Sequence, residues 1–169
     1  MDFHPIVVHF PIAFLTLYSI LELLHRWTRQ PFWKPLRAVL VIIGTIGAYT
    51  ALQTGEFAEE SFRASLLMPV LELHSLLANV TTIVFAILAG AYVIDLLSTK
   101  NVWERLKLVP QRARIFLERV AHIILRTPLT YILVIIALTT LSLVAALGGI
   151  LVYGPDMDPV TKIVYWMFF

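Results

Sequence analysis

Apolar residues run in four long blocks, at about 5–24, 36–57, 70–97 and 128–153, each near the ~20 residues that a bilayer-crossing helix needs. Between the third and fourth blocks the pattern changes from continuous to periodic. In QRARIFLERVAHIILR (111–126), Phe116, Val120, Ile123 and Ile124 share one helical face. Arg112, Arg119, His122 and Arg126 crowd the opposite face, the pattern of an amphipathic helix lying on anionic headgroups. Thr127-Pro128 ends that helix before the fourth block, because proline disfavours helix in the residue before it. The tail KIVYWMFF is aromatic enough for a membrane–water interface. The expectation is an all-α integral membrane four-helix bundle with a cytoplasmic-side surface helix, forming a single transmembrane domain over 1–169.

Composition agrees. The chain is 59% hydrophobic and 14% charged, with a mean hydropathy of +0.84, too few charges to solvate a soluble domain of this length. It has no cysteine, which excludes disulfides, thiolate metal sites, cysteine-bound iron–sulfur clusters and haem attached through Cys-x-x-Cys-His. Asp2 stands where a signal peptide has its basic region, and no small-residue cleavage site follows, so the first block is expected to be a retained span. There is no P-loop, dinucleotide fingerprint or Gly-x-Ser-x-Gly elbow.

Charge gives the orientation. Arg26, Arg29, Lys34 and Arg37 lie between spans one and two. Lys100, Arg105, Lys107, Arg112, Arg114, Arg119 and Arg126 lie between spans three and four, and only Arg63 and Lys162 fall elsewhere. The positive-inside rule places both basic stretches in the cytoplasm and both termini outside, as expected for a multi-pass protein of a bacterial inner membrane. Asp2, Glu56, Glu59, Glu60, Glu72, Asp156 and Asp158 all belong to the outer side. The basic loop is explained by topology and calls for no nucleic acid.

Ionisable groups inside spans are costly and mark function. Pro5 and Pro69 suit the first turns of spans one and three. His9 and His74 then lie at matching depth, ~6–8 Å inside their helices from the outer side. Ala78, Thr81, Phe85 and Tyr92 share the His74 stripe. Glycine and alanine recur at helical spacing in span two (Gly44, Gly47, Ala48, Ala51, Gly55) and close span four (Ala145, Ala146, Gly148, Gly149). Such seams serve close helix contact or leave clearance for a planar cofactor. Pro11 should bend span one beside His9, as an ordinary kink or as a bend that aims the imidazole inward. His4 faces water or headgroups. His25, at the end of span one, is rotated ~160° from His9, and His122 shares the arginine face of the surface helix. Two imidazoles from two spans suit axial coordination of haem b, whereas zinc or copper would want further ligands. A proton relay or a polar packing pair uses the same residues.

The opening HPIVVHFPIAF resembles the HPxxVHFPIAL start of a bacterial family of predicted four-helix membrane proteins, domain of unknown function 2231. Thr54-Gly55, LELHSLLA around His74 and GGILVYG follow in the family's order. The resemblance carries over to His4, Pro5, His9, Pro11, Thr54, Gly55, Glu72, His74, Gly148, Gly149 and Tyr153. Relatives joined to Rieske or c-type cytochrome domains imply a respiratory redox setting. This chain shows no such domain, and GPDMDPV stands where relatives often continue with another glycine-bearing turn.

The expected function is therefore that of a membrane b-type cytochrome-like electron-transfer or anchor subunit, more a component than a complete enzyme. Haem would sit near the outer face between His9 and His74, with His4, Thr54, Gly55 or nearby backbone at the propionates. It would link the quinone pool to a periplasmic or membrane redox protein. The alternative is a non-redox structural subunit whose histidine pair packs or binds another metal. A transporter is disfavoured, because the polar residues deeper in the spans (Thr45, Tyr49, Asn79, Thr139, Thr140, Ser142) are neutral and scattered.

Overall fold

A computed structural model describes residues 4–28, 32–59, 67–99, 102–103 and 109–169. Within them run six helices: α1 (His4–Thr28), α2 (Trp33–Glu59), α3 (Met68–Thr99), α4 (Gln111–Arg126), α5 (Leu129–Tyr153) and α6 (Pro159–Phe168). The chain is all-α, and α1, α2, α3 and α5 are long and apolar enough to cross a membrane. The first three sequence-derived spans fall inside these helices, which extend one to several residues beyond the predicted ends, and the fourth matches α5 except that Pro128 caps the helix. Helix α4 keeps its predicted bounds. The side chain of His4 and most of the basic loop, including Lys100, Arg105 and Lys107, lie outside the described residues.

Neighbours in sequence are neighbours in space. Helix α1 packs on α2, α2 on α3 and α3 on α5, and a lighter contact between α5 and α1 closes the ring. Helices α1 and α3 therefore stand on one diagonal. Helix α4 leans on the end of α3, where Arg114 Nε and Ser98 Oγ both donate to Glu118 Oε1, at 2.9 and 2.8 Å. Those two donors, Arg114 first, hold the Glu118 carboxyl below its usual range. Arg112, Arg119, His122 and Arg126 are exposed, as the amphipathic pattern predicts.

The tail is more than an aromatic anchor. Gly154 takes φ +88, a left-handed value suited to glycine, and its N–H reaches Ile150 O at 2.9 Å to close α5. Asp158 then accepts from Val160 N and Thr161 N at 2.7 and 3.0 Å, with Pro159 in the first turn, and starts α6. GPDMDPV is thus a stop followed by an N-cap. Sequence reasoning gave this segment an interface but no helix. Helix α6 folds back so that Thr161 packs beside Gly149.

The core divides along its length. One cluster joins Leu15, Tyr18, Val41, Phe85, Leu88, Tyr92, Val134 and Ala137 from all four spans. A second joins Val70, Leu147, Ile150 and Val164 from α3, α5 and α6 alone. At that end, among the described residues, α1 and α2 contribute no side chain to this second cluster.

Candidate functional site

The divided core can be followed along each inward-facing stripe. On α5, Thr130, Val134, Ala137 and Leu141 recur at helical spacing and are buried. The same stripe continues through Ala145, Gly148 and Val152, where Ala145 and Val152 are exposed and Gly148 is half-buried. On α2, Arg37, Val41 and Gly44 are buried, but Ala48, Ala51 and Gly55 are only half-buried. On α3, Tyr92, Phe85 and Thr81 are buried, whereas Ala78 and His74 are half-buried. On α1, Glu22, Tyr18, Leu15 and Pro11 are buried, and Val8 and Val7 are half-buried. Along these stripes cover is lost toward the end that carries His9 and His74, whereas other faces of α3 and α5 bury Val70, Leu147 and Ile150 there in the second cluster. The cause lies in the residue types: Ala48, Ala51, Gly55, Ala78, Ala145 and Gly148 are too small to fill a bundle centre that Phe85, Tyr92 and Leu15 fill elsewhere.

His74 is fixed across this end. Its Nδ1 lies 3.1 Å from the backbone carbonyl of Val144 on α5. A carbonyl only accepts, so this bond places the proton on Nδ1 and the imidazole lone pair on Nε2. Gly148, one turn beyond Val144, makes the approach possible: a Cβ there would lie 3.3 Å from His74 Cε1. The glycine clearance at this point is thus used by the imidazole itself. On α2 the seam is helix contact. A Cβ at Gly44 would lie 2.6 Å from Leu15 Cδ2, and one at Gly47 would lie 3.4 Å from Pro11.

The other sequence-derived residues fall as follows. His9 is exposed, because it lies ~200° round the helix from Pro11, which is buried against Gly47. Pro11 therefore packs, and the bend does not turn His9 into the core. His9 stands on α1 and His74 on the diagonal helix α3. Thr54 Oγ1 donates to Ala51 O of its own helix at 3.0 Å, and Thr54 and Gly55 are half-buried at the same end. Glu72 is exposed, away from His74. Among the described residues, no three His, Cys, Asp or Glu side chains converge as a metal cage.

At the opposite end the structure assembles a network that sequence reasoning missed. Arg37 Nη1 donates to Glu22 Oε1 at 2.5 Å, with both side chains about 95% buried. Tyr92 donates its hydroxyl to Glu22 Oε2 at 2.6 Å, and Ser19 Oγ donates to Leu15 O at 2.7 Å just above. Lys34 pairs with Asp95 at 2.6 Å. The signal was present: Glu22 is an acid within an apolar span. By sequence position Arg37 is one of the topology charges between spans one and two.

The scattered polar residues of the spans are satisfied locally. Thr45 Oγ1, Asn79 Nδ2, Thr140 Oγ1 and Ser142 Oγ each donate to a carbonyl one turn back in the same helix. They form no continuous polar track.

Fold and site together define a class: an all-helical protein with four helices long and apolar enough to cross a membrane, an ion-pair network at one end and His9 and His74 at the other. Residues 1–157 match the family described as predicted membrane protein, domain of unknown function 2231, and the chain belongs to that family. No curated protein and no solved structure matches it significantly.

Proposed function

We infer that this protein is a b-type cytochrome-like membrane subunit, which holds haem at the open end between His9 and His74 and serves electron transfer or anchors a partner that performs it. The observation that carries this reading is the coincidence of three features at one end. The stripes through Ala48, Ala51, Ala78, Ala145 and Gly148 lose cover there, the side chains on them are mostly small, and the Val144 carbonyl orients the His74 ring through Nδ1. A backbone acceptor on the second nitrogen is the usual orienting partner of a metal-bound histidine. Held by His9 and His74, haem would supply one-electron chemistry.

The chain's own residues do the rest. Val144 holds the His74 ring in one tautomer, and Gly148 lets the ring reach that carbonyl. Ala48, Ala51 and Ala145 leave the bundle centre without bulk. His4, Thr54 and Gly55 belong to the same end and are the residues to hold the propionates. By the distribution of arginine and lysine, this end faces outward from a bacterial inner membrane, with both termini outside. It would there meet quinone at the membrane and a periplasmic or membrane redox protein.

A second reading is favoured by the tight contacts at Gly44 and Gly47. It makes the protein a structural subunit in which the histidines only pack or bind another metal.

The test is the oxidised and dithionite-reduced visible spectrum of protein expressed with ample haem and purified in detergent. A sharp Soret band and reduced α-band in the wild type, lost in His9→Ala and in His74→Ala, are the expected result. A colourless wild type refutes the haem reading and leaves the structural one.

A further inference from the structure

At the end of the bundle away from the histidines lies a cavity of about 660 Å3, to which all four spans and α4 contribute. Its charged lining consists of three cations, Lys34, Arg37 and Arg126, two carboxylates, Glu22 and Asp95, and the imidazole of His25. Both carboxylates are occupied. Glu22 takes Arg37 on Oε1 and Tyr92 on Oε2, and Asp95 takes Lys34. The cations are not used up in the same way. Arg37 is 4% exposed, donating Nη1 to Glu22 and Nε to Trp33 O, the latter at 3.3 Å. A guanidinium has five N–H donors in a fork, so one such group can serve a carboxylate and a second anion together. Arg126, in the last turn of α4, adds a further positive charge at the rim.

We propose that this cavity binds a phosphate group. With its ion pairs formed, the lining is donor-rich and carries one surplus positive charge when His25 is neutral, which a singly charged phosphodiester balances. Guanidinium forks match phosphate oxygens bidentately. The apolar side of the cavity, Leu125 and Pro128, comes from the corner where the amphipathic α4 meets α5. Phe116 and Ile123 of α4 are exposed, so this corner sits at headgroup depth. A phospholipid headgroup and a free phosphate share the recognising chemistry. The site stands independently of the histidine end, and its test does not depend on haem.

The test uses full-length protein, delipidated in an uncharged detergent and phosphate-free buffer. Its thermal unfolding is followed while dihexanoyl phosphatidylglycerol, inorganic phosphate or dihexanoylglycerol is added. The expected result is saturable stabilisation by the phospholipid, with the half-saturating concentration raised at least tenfold in Arg126→Gln, an exposed change that leaves the fold intact. Equal saturation by inorganic phosphate identifies a free-phosphate site, and saturation by the phospholipid alone identifies a headgroup site. Arg37→Gln should abolish the response if it folds. Stabilisation by dihexanoylglycerol equal to that by the phospholipid overturns the proposal. So does a response unchanged in Arg126→Gln, or no saturable response at all.

Discussion

Replacing Arg37 by methionine strands the Glu22 carboxylate. The two side chains are about 95% buried and 2.5 Å apart, so water screens neither charge appreciably. After the substitution, Glu22 keeps the Tyr92 hydroxyl, at 2.6 Å, but loses its counter-charge. Breaking a buried pair from one side costs ~3–5 kcal/mol, because an uncompensated charge is left behind. Tyr92→Phe removes one hydrogen bond to a charged acceptor and should cost less, ~1–2 kcal/mol, between the membrane average and the charge-assisted range. The double change Glu22→Leu with Arg37→Met removes both charges at roughly conserved volume. It should recover most of the loss, since apolar replacements of whole buried pairs are often neutral or stabilising. The assay is reversible unfolding in mixed micelles, run as a double-mutant cycle. An Arg37→Met loss below about 1 kcal/mol, or a double variant no more stable than the single, would refute the view that this pair is desolvated and coupled.

Three further outcomes follow from local geometry. Gly44→Val should destabilise by ~1–3 kcal/mol through overpacking, because even its Cβ meets Leu15 at 2.6 Å; micelle unfolding reads this directly. Asp158→Ala removes the carboxylate that accepts from Val160 N and Thr161 N, so it should cost ~1 kcal/mol and raise hydrogen exchange across 159–168 without changing α5. Glu118 is held below the usual carboxylate range by Arg114 and Ser98. Its contribution to docking α4 on α3 is therefore full above the ordinary carboxylate pKa and is lost as pH falls through the lowered value. Acid-dependent exchange of α4 amides should show this, and Glu118→Gln should remove the dependence.

The four long helices, the surface helix α4 and the membrane-spanning character were legible in the chain, though α6 was not, because a bilayer imposes one rule that sequence alone can satisfy. Every backbone group must bond within its own segment, so about twenty apolar residues already specify a spanning helix. The surface helix was legible for a similar local reason, its two faces being written three and four residues apart. Even the histidine end was marked, since His9 and His74 follow helix-starting prolines at the same depth. What the sequence left open was rotation and partnership. Whether Pro11 packs or aims His9 depends on where Gly47 of another helix lies, and packing turned His9 outward. Whether a glycine seam is contact or clearance depends on what faces it: Leu15 fills Gly44, while His74 uses Gly148 to reach the Val144 carbonyl. Glu22, Arg37 and Tyr92 are far apart in the chain, and only the ring of helices brings their charges and hydroxyl within hydrogen-bond distance. Apolar pattern is a property of one helix at a time. A polar site inside a membrane is a property of several, because each buried charge must find its counterpart on a neighbour.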